Sequence, residues 1–265
     1  MRIALGVEYA GASFTGWQSQ PDGRAGQDAL ERALAAIARE PVRTHAAGRT
    51  DAGVHATAQV VHFDTVVDRP DSAWVRGVNA HLPPTMAVLW MHAVGDDFHA
   101  RFSATARHYT YLLLNTSVRP ALFADRLGWY HRPLDVEAMA RAAQALVGTH
   151  DFSAFRAAEC QAKTPVKTVS SLAIAHQGSL IRFDFSANAF LHHMIRNLVG
   201  SLVHVGAGKA PQHWLADILA SRDRARAAAT FAATGLYFTG ADYPAAFGLP
   251  PTRRDLRLAV PEGSP

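Results

Sequence analysis

The sequence predicts an α+β fold in which antiparallel β-sheets carry helices on their outer faces. Strand patterns lie next to one another as hairpins and do not alternate strictly with helices. A related order of strands and helices occurs once before and once after residue 105. The chain therefore predicts two similar halves, residues 1–105 and 106–247, joined around a central cleft. Residues 248–265 are rich in Pro, Gly and Arg, and we expect them to form a flexible tail.

Hydrophobic periodicity predicts the elements of the first half. Leu30, Leu34 and Ile37 follow the spacing of one buried helical stripe, and Pro41 ends that helix. Alternating or β-branched runs between turn residues predict the strands. The predicted strands are residues 2–9, 42–47, 55–63 and 86–94, and the predicted helices are 27–40 and 71–80.

The same criteria predict the second half. Gln177-Gly178 is predicted to form the turn of a hairpin, and Gly148 is predicted to end a helix. The predicted strands are residues 107–115, 169–176 and 180–187, and the predicted helices are 135–147, 188–205, 212–220 and 224–234. The helix at 188–205 is apolar on nearly every side, so it is expected to be buried.

Composition restricts the class of protein. With 49% hydrophobic and 18% charged residues, the chain is typical of globular proteins. No apolar run is long enough to cross a bilayer, and the N-terminus lacks the pattern of a secretory signal. The single cysteine, Cys160, excludes an internal disulfide and a multi-thiolate metal site. We therefore expect a cytoplasmic protein that makes no membrane contact.

Charge points to a polyanionic partner. The formal net charge is +4 and the sequence pI is about 9.5. Nearly all of the cationic side chains are arginines, which bind phosphate with two parallel donors and stack on bases. A base-composition bias, which also accounts for the abundance of Ala, is the alternative explanation.

The segment Gly48–His55, with the sequence G-R-T-D-A-G-V-H, is the first candidate for chemistry. Its two glycines, Gly48 and Gly53, permit unusual backbone conformations and close approach by a ligand. Between them lie a cation, a hydroxyl and a carboxylate, the last being Asp51. An aspartate in such a loop also serves commonly as a turn residue that binds its own backbone.

Arg196 is the second candidate, because it lies on the predicted buried helix. A buried guanidinium without an anionic partner is costly, so the helix predicts a carboxylate aimed at Arg196. Asp51 and Asp184 are the two candidates, unless the arginine extends along its stem to solvent. An aspartate paired with arginine stays ionised and can act as a nucleophile or as a general base.

Tyr109 and Tyr111 alternate on the predicted strand at 107–115 and therefore share a face. Aromatic rings on a strand can stack on an unpaired base, although they more often pack in the core. Several other motifs are incomplete. Val203 and Ala210 replace residues that a phosphate loop requires around 206–209, and His192-His193 lacks the spacing of a zinc site. No motif for a nucleotide cofactor, a zinc deaminase or a serine nucleophile is present.

Eight segments together resemble the tRNA pseudouridine synthase A family. They are residues 7–9 with 14–18, 47–56, 59–63, 97–104, 151–156, 188–197 and 235–237. By this resemblance Asp51 matches the catalytic aspartate, Tyr109 the residue that stacks on the target base, and Arg196 the arginine paired with the aspartate. Arg49 would help to extrude the nucleotide, and its neighbours Gly48 and Thr50 are expected to line the substrate site.

The resemblance also implies a fold and a reaction. Members fold as two RRM-like halves around a cleft, work as homodimers and isomerise uridines at positions 38 to 40 of the tRNA anticodon stem-loop. The implied reaction breaks the N1–C1′ bond and rejoins the base through C5, without metal or cofactor. Attack of Asp51 at C1′ or at C6 remains open. A noncatalytic tRNA-binding module and an aspartate-dependent nucleosidase are the competing hypotheses.

Overall fold

A computed structural model describes residues 1–256, and residues 257–265 lie outside the described part of the chain. Within it, ten strands form one open sheet in the order β4-β1-β3-β10-β5-β9-β8-β7, with β2 paired to β3 and β6 paired to β5. The strands are β1 Arg2–Tyr9, β2 His45–Ala46, β3 His55–Asp64, β4 Met86–Val94, β5 Ala106–Asn115, β6 Gly128–Tyr130, β7 Gly148–Asp151, β8 Val166–Gln177, β9 Leu180–Ala187 and β10 Leu236–Asp242.

Five α-helices are present in the described residues. They are α1 Gly26–Ala38, α2 Val78–His81, α3 Val136–Ala143, α4 Met194–Gly206 and α5 Trp214–Ser221. A π-helical turn at Ala73–Gly77 leads into α2. Among residues 1–256, no helix combines the length and the apolar character required to cross a bilayer. The mixed helix-and-sheet class predicted from the sequence is confirmed.

The two halves repeat one spatial order of strands. In the first half β4, β1 and β3 are neighbours and β2 pairs with β3; in the second half β10, β5, β9 and β8 follow one another. Both halves join one continuous sheet, which we did not predict. The join is a parallel pairing of β10 with the start of β3, where Tyr237 lies opposite His55. We call this pairing the seam.

The seam determines where the loop before β3 emerges. Near its end β3 pairs with β2, through His45 and His62, whereas its start pairs with β10. Both partners occupy the same edge of β3, because β1 runs along the other edge. The segment between β2 and β3, residues 47–54, therefore leaves the sheet at the point where the first half meets the second.

Side chains with little or no exposure pack between the sheet and the helices of each half. In the first half, Leu30 and Leu34 of α1 join Trp74 and Phe63, all fully buried. In the second half, α4 buries its Leu198, Val199 and Leu202 side chains completely, as the apolar pattern predicted. Burial of each such side chain contributes about 1.5–3 kcal/mol to folding.

The predicted helix at residues 188–205 is wrong at its start, because α4 begins at Met194. The Asn188 backbone and side chain continue the ladder by bonding to Thr168, and His193 has φ 61°, a left-handed conformation that ends the helix on its N-terminal side. Residues 188–193 are therefore a loop. The apolar spacing that predicted a longer helix came from Phe190 and Leu191, which pack without being helical.

The predicted helix at residues 224–234 is also wrong. Only Arg224–Arg226 forms a short 3₁₀ turn. The remainder runs along α4, where Phe231 N–H donates to the Arg196 carbonyl and Ala228 N–H donates to Ser201 Oγ. The alanine-rich composition favours a helix locally, but bonds to α4 satisfy the backbone instead.

Three other predicted boundaries differ less. The strand at 42–47 is reduced to β2, α1 ends at Ala38 with a left-handed Arg39, and the helix at 135–147 ends at Ala143 before a 3₁₀ turn. Part of the expected tail makes defined contacts: Arg253 bridges to Gly240, and the Arg254 carbonyl accepts a bond from Thr57 Oγ1 at 2.7 Å. Residues 257–265 of that tail lie outside the described residues.

Candidate functional site

The segment 47–54, which we call the Asp51 loop, is held by backbone bonds on one side. Trp17 N–H donates to the Thr50 carbonyl at 2.9 Å, and Val54 N–H closes a turn onto the Asp51 carbonyl at 3.1 Å. Gly53 has φ 82°, a conformation that residues with a Cβ rarely adopt. The backbone conformation at position 53 therefore favours glycine over any residue with a Cβ.

Two buried polar side chains hold the Asp51 loop from beneath. Gln59 on β3 donates to the Gly48 carbonyl at 2.8 Å, and the Tyr9 hydroxyl lies 2.8 Å from Thr50 Oγ1. Burial raises the pKa of Tyr9 to about 12, so its hydroxyl stays protonated at neutral pH. Neither residue was predicted to support the site. A Gln alternating with apolar residues on a predicted strand was the available signal.

The Asp51 carboxylate faces three nitrogen-bearing side chains of the second half. Arg196 Nη1 donates to Asp51 Oδ2 at 3.0 Å, and His193 Nε2 lies 3.3 Å from the same oxygen. His192 Nε2 lies 3.3 Å from Oδ1. The Asp51 side chain is 20% exposed and that of Arg196 is 17% exposed, so the pair is partly enclosed yet reachable.

The expected pairing of Arg196 with Asp51 is thus present, and its competitor has another partner. Asp184 accepts two bonds from the Arg182 guanidinium, at 2.6 and 2.8 Å, and one from Thr110 Oγ1. Arg196 also does not extend into solvent, because its Nε donates to the Phe231 carbonyl at 2.9 Å. The chain at residues 227–235 therefore helps to aim the guanidinium at Asp51.

His193 combines a strained backbone with a titratable ring. It is one of three non-glycine residues with positive φ in the described residues, and it directly precedes α4. Burial is the main cause that lowers the pKa of His193, while the charge of Asp51 acts in the opposite direction. The ring is therefore neutral at pH 7. The spacing of His192 and His193 argued against a zinc site and predicted no other role for the pair.

The Asp51, His192 and His193 ligand atoms lie within 4.8 Å of one another, a spacing that a metal ion could use. The Arg196 guanidinium already contacts Asp51 Oδ2, and a fixed cation at that distance opposes binding of a second one. The side chains of His192, His193 and Arg196 are therefore better suited to orienting the Asp51 carboxylate than the cluster is to binding a metal ion.

Tyr109 lies beside the Asp51 loop on β5. A Cβ placed on Gly48 would lie 3.6 Å from the Tyr109 hydroxyl oxygen. The ring is only 9% exposed and makes edge-to-face contacts with Phe190 and Phe238, at centroid distances of 5.2 and 5.1 Å. Burial, with the nearby Tyr9 and the charge of Asp51, raises the pKa of Tyr109. The hydroxyl is therefore un-ionised.

Comparison with known proteins decides the family. A sequence profile described as "tRNA pseudouridine synthase" matches residues 6–103 and 142–244. The chain belongs to the tRNA pseudouridine synthase family. It is an enzyme, an isomerase that converts uridine to pseudouridine in tRNA.

Similar proteins agree with this assignment over nearly the whole chain. Three of these relatives carry the name tRNA pseudouridine synthase A. The protein of Aromatoleum aromaticum is 60% identical over 250 residues, which cover 94% of this chain and 95% of the relative. That of Thiobacillus denitrificans is 59% identical, with coverages of 94% and 96%. That of Chromobacterium violaceum is 58% identical over 261 residues, 98% of this chain and 100% of the relative.

Two arginines of the synthase have contrasting environments. Arg49 is exposed on the Asp51 loop, and its side chain makes no hydrogen bond or ion pair within residues 1–256. Arg107 is largely enclosed and donates to the backbone carbonyls of Ala104 and Asn188, both at 2.9 Å, and to that of Arg101. Arg49 is therefore available to an RNA, whereas Arg107 ties together segments that border the site.

Proposed function

We propose that Asp51 is the nucleophile with which this enzyme isomerises uridines at positions 38 to 40 of the tRNA anticodon stem-loop. The observation that carries the proposal is the partly enclosed Asp51 carboxylate of one half, held by Arg196 of the other at 3.0 Å, beside Tyr109. A carboxylate that a guanidinium holds in place in a partly enclosed site is oriented as a nucleophile requires. The positions in tRNA follow from the family resemblance described above.

The reaction conserves every atom of the nucleotide. The N1–C1′ bond breaks, the uracil rotates, a C1′–C5 bond forms, and the proton lost from C5 is balanced by one gained at N1. Asp51 assists by adding transiently to C1′ or to C6 and leaving again. Oδ2 is held by Arg196 and His193, whereas Oδ1 faces only the His192 ring at 3.3 Å, so we propose that Oδ1 attacks. None of these steps needs a metal or a nucleotide cofactor, and we propose that none is used.

The target uridine must leave its stack before Asp51 can reach it, and this costs a few kcal/mol. In the proposal, exposed Arg49 supports the opened RNA, while Gly48 and Thr50 line the path of the extruded nucleotide. Tyr109 stacks on the uracil. Because Tyr109 contacts Phe190 edge to face, stacking requires Phe190, on the loop before α4, to give way.

The remaining parts of the proposal concern organisation. We propose that residues 1–105 and 106–247 are two RRM-like halves, and the repeated strand order together with the two matched segments supports this division. We also propose that the enzyme acts as a homodimer in the cytoplasm, as the family resemblance implies. Light scattering on the purified enzyme would test the dimer: a monomer mass at assay concentration contradicts it.

The decisive experiment compares wild type with Asp51→Asn on an anticodon stem-loop that carries uridine at positions 38 to 40. Carbodiimide labelling detects pseudouridine at each position. We expect product at these positions with wild type and a loss of at least about a thousandfold with the variant, which keeps the shape of the side chain but removes its charge. A substrate with cytidine at the three positions is the matched control.

Other outcomes would identify a different activity. Equal product from both proteins would remove Asp51 from the mechanism. Release of free uracil, detected by chromatography, would indicate a nucleosidase. Tight tRNA binding without any product would indicate a binding module. Pseudouridine formed only outside positions 38 to 40 would retain the chemistry and reject the proposed target.

A further inference from the structure

An open groove in the first half lies outside the site described above. It encloses about 670 Å³ between the start of α1 and the end of α2. Its lining includes two exposed arginines, Arg24 and Arg32, together with the exposed His81, and Phe14, Leu82 and Pro83 contribute apolar walls. None of the residues that line it carries a carboxylate.

The two arginines of the groove are not neutralised within the described residues. Arg24 makes no side-chain hydrogen bond or ion pair there, and Arg32 donates only to the uncharged Gly23 carbonyl, at 3.0 Å. The two acidic residues closest to Arg24 in sequence accept bonds from backbone groups: Asp22 accepts from the Arg24 N–H, and Asp28 accepts from the Ala25 N–H. The groove therefore presents positive charge to solvent.

The start of α1 itself does not account for this charge. The N–H groups of Gly26 and Gln27 already donate to the carbonyls of Gly16 and Trp17, both at 2.9 Å. The positive end of the helix is also offset by the Asp28 carboxylate in its first turn. Any anion in the groove would therefore be held by side chains, and arginine can bind phosphate with two donors.

One short segment links the groove to the Asp51 loop. Thr15 N–H donates to the Arg24 carbonyl at 3.3 Å, and two residues later Trp17 N–H donates to the Thr50 carbonyl at 2.9 Å. Allowing about 3.8 Å for each residue step, the Arg24 backbone lies at most roughly 20 Å from Asp51. An RNA whose target nucleotide reaches Asp51 can therefore extend its backbone into the groove.

We propose that this groove binds backbone phosphates of the tRNA substrate through Arg24 and Arg32, on the side of the Asp51 loop that belongs to the first half. This inference rests on the proposed function, because the RNA in the groove is the same one whose uridine reaches Asp51. The groove contributes affinity and orientation, and it takes no part in the chemical step. Phosphate contacts carry no base information, so the effect extends to all tRNA substrates.

The test uses Arg24→Ala/Arg32→Ala in the full-length chain. We expect KM for tRNA to rise roughly tenfold or more at about 100 mM salt, with kcat at saturation unchanged. Between about 50 and 200 mM salt, the slope of log affinity against log salt should become shallower by about one to two units, because two phosphate contacts are lost. The matched control is Arg69→Ala/Arg76→Ala, which removes two exposed arginines of the same half that do not line the groove.

Binding is also measured in an Asp51→Asn background with labelled tRNA, so that the result does not depend on turnover. If the groove variant then matches the control variant in affinity and salt slope, the proposal is overturned, whatever the activity of Asp51. A change in oligomeric mass caused by the groove substitutions, without a change in salt slope, also overturns it and assigns the groove to contact between copies. If the groove substitutions weaken tRNA binding as expected but the enzyme forms no pseudouridine, only the proposed function is contradicted.

Discussion

The two halves of the molecule repeat the same order of strands but contribute different structure to the site. The first half supplies Asp51 on an irregular loop, which depends on Trp17, Tyr9 and Gln59 for its shape. The second half supplies Tyr109 from strand β5 and Arg196 from helix α4. The backbone hydrogen bonds of both elements are made within regular secondary structure. The Asp51 carboxylate therefore lies on the less regular side, and the regular side supplies the guanidinium that orients it.

The largest expected effect comes from breaking the contact between the halves. Arg196→Ala strands the Asp51 carboxylate, so we expect activity to fall at least about a hundredfold. Unfolding free energy should fall by about 2 kcal/mol, less than for a fully buried pair because Asp51 is 20% exposed. Urea unfolding and single-turnover rates measure the two effects.

A double variant sharpens that test. Asp51→Asn/Arg196→Ala has no stranded charge, so it should recover part of the stability lost by the single substitution. If Arg196→Ala is as stable as wild type, or if the double variant is no more stable than Arg196→Ala, the two side chains are not energetically coupled across the seam.

Acidification should destabilise the first half through two buried histidines. Burial is the main cause that lowers the pKa of His55 and of His62 from 6.5 to about 4. The unfolded chain binds these protons below pH 6.5 and the folded chain does not, so stability is complete above pH 6.5 and falls as pH falls toward 4. The loss is up to about 3 kcal/mol for each histidine.

Urea unfolding between pH 7.5 and 4.5 measures this dependence. His62 is also faced by His45, His99, Arg2 and Asp64, and the first three oppose its protonation. His62→Gln should flatten the pH dependence, whereas His176→Gln, at an exposed position of the second half, should leave it as in wild type. Equal slopes in all three proteins would exclude His62 as a source of acid sensitivity.

Two glycine substitutions compare how much space each half leaves for an added methyl group. A Cβ on Gly200 of α4 would lie 2.2 Å from the Ala229 carbonyl oxygen, whereas on Gly48 its nearest contacts would be at 3.6 Å. Gly200→Ala should therefore cost about 1–3 kcal/mol and lower activity, because it displaces the chain that holds Arg196. Gly48→Ala should change unfolding free energy by less than about 1 kcal/mol. Thermal melts that rank the two in the opposite order would contradict this.

The smallest expected effect concerns the support of the Asp51 loop. Tyr9→Phe removes the contact of its hydroxyl with Thr50 and should cost about 1 kcal/mol, with a several-fold fall in kcat. Tyr243→Phe also loses one hydrogen bond, to the Ala100 carbonyl, and serves as the control. The two variants should melt similarly, and only Tyr9→Phe should lose activity. Equal activities would mean that Tyr9 does not orient the loop.

Local patterns predicted much of the fold and failed at identifiable places. Strands β1, β4 and β9 have the predicted bounds, because alternation and turn residues are short-range signals. The segment 224–234 is not helical, although its alanines favour a helix, because α4 binds its backbone. The spacing wrongly predicts helix at 188–193, because buried Leu191 continues the apolar stripe of α4 and half-buried Phe190 packs beside it. Periodicity reports burial, and a packed loop can be buried as well.

The sequence by itself determined that a glycine-flanked carboxylate and a buried arginine were both present and that the arginine required an anion. Only the tertiary structure decided that this anion is Asp51 and not Asp184, and that His192 and His193 lie beside it. Asp51 and Arg196 are 145 residues apart. Their meeting depends on the pairing of β3 with β10, a contact between distant strands that no local spacing encodes.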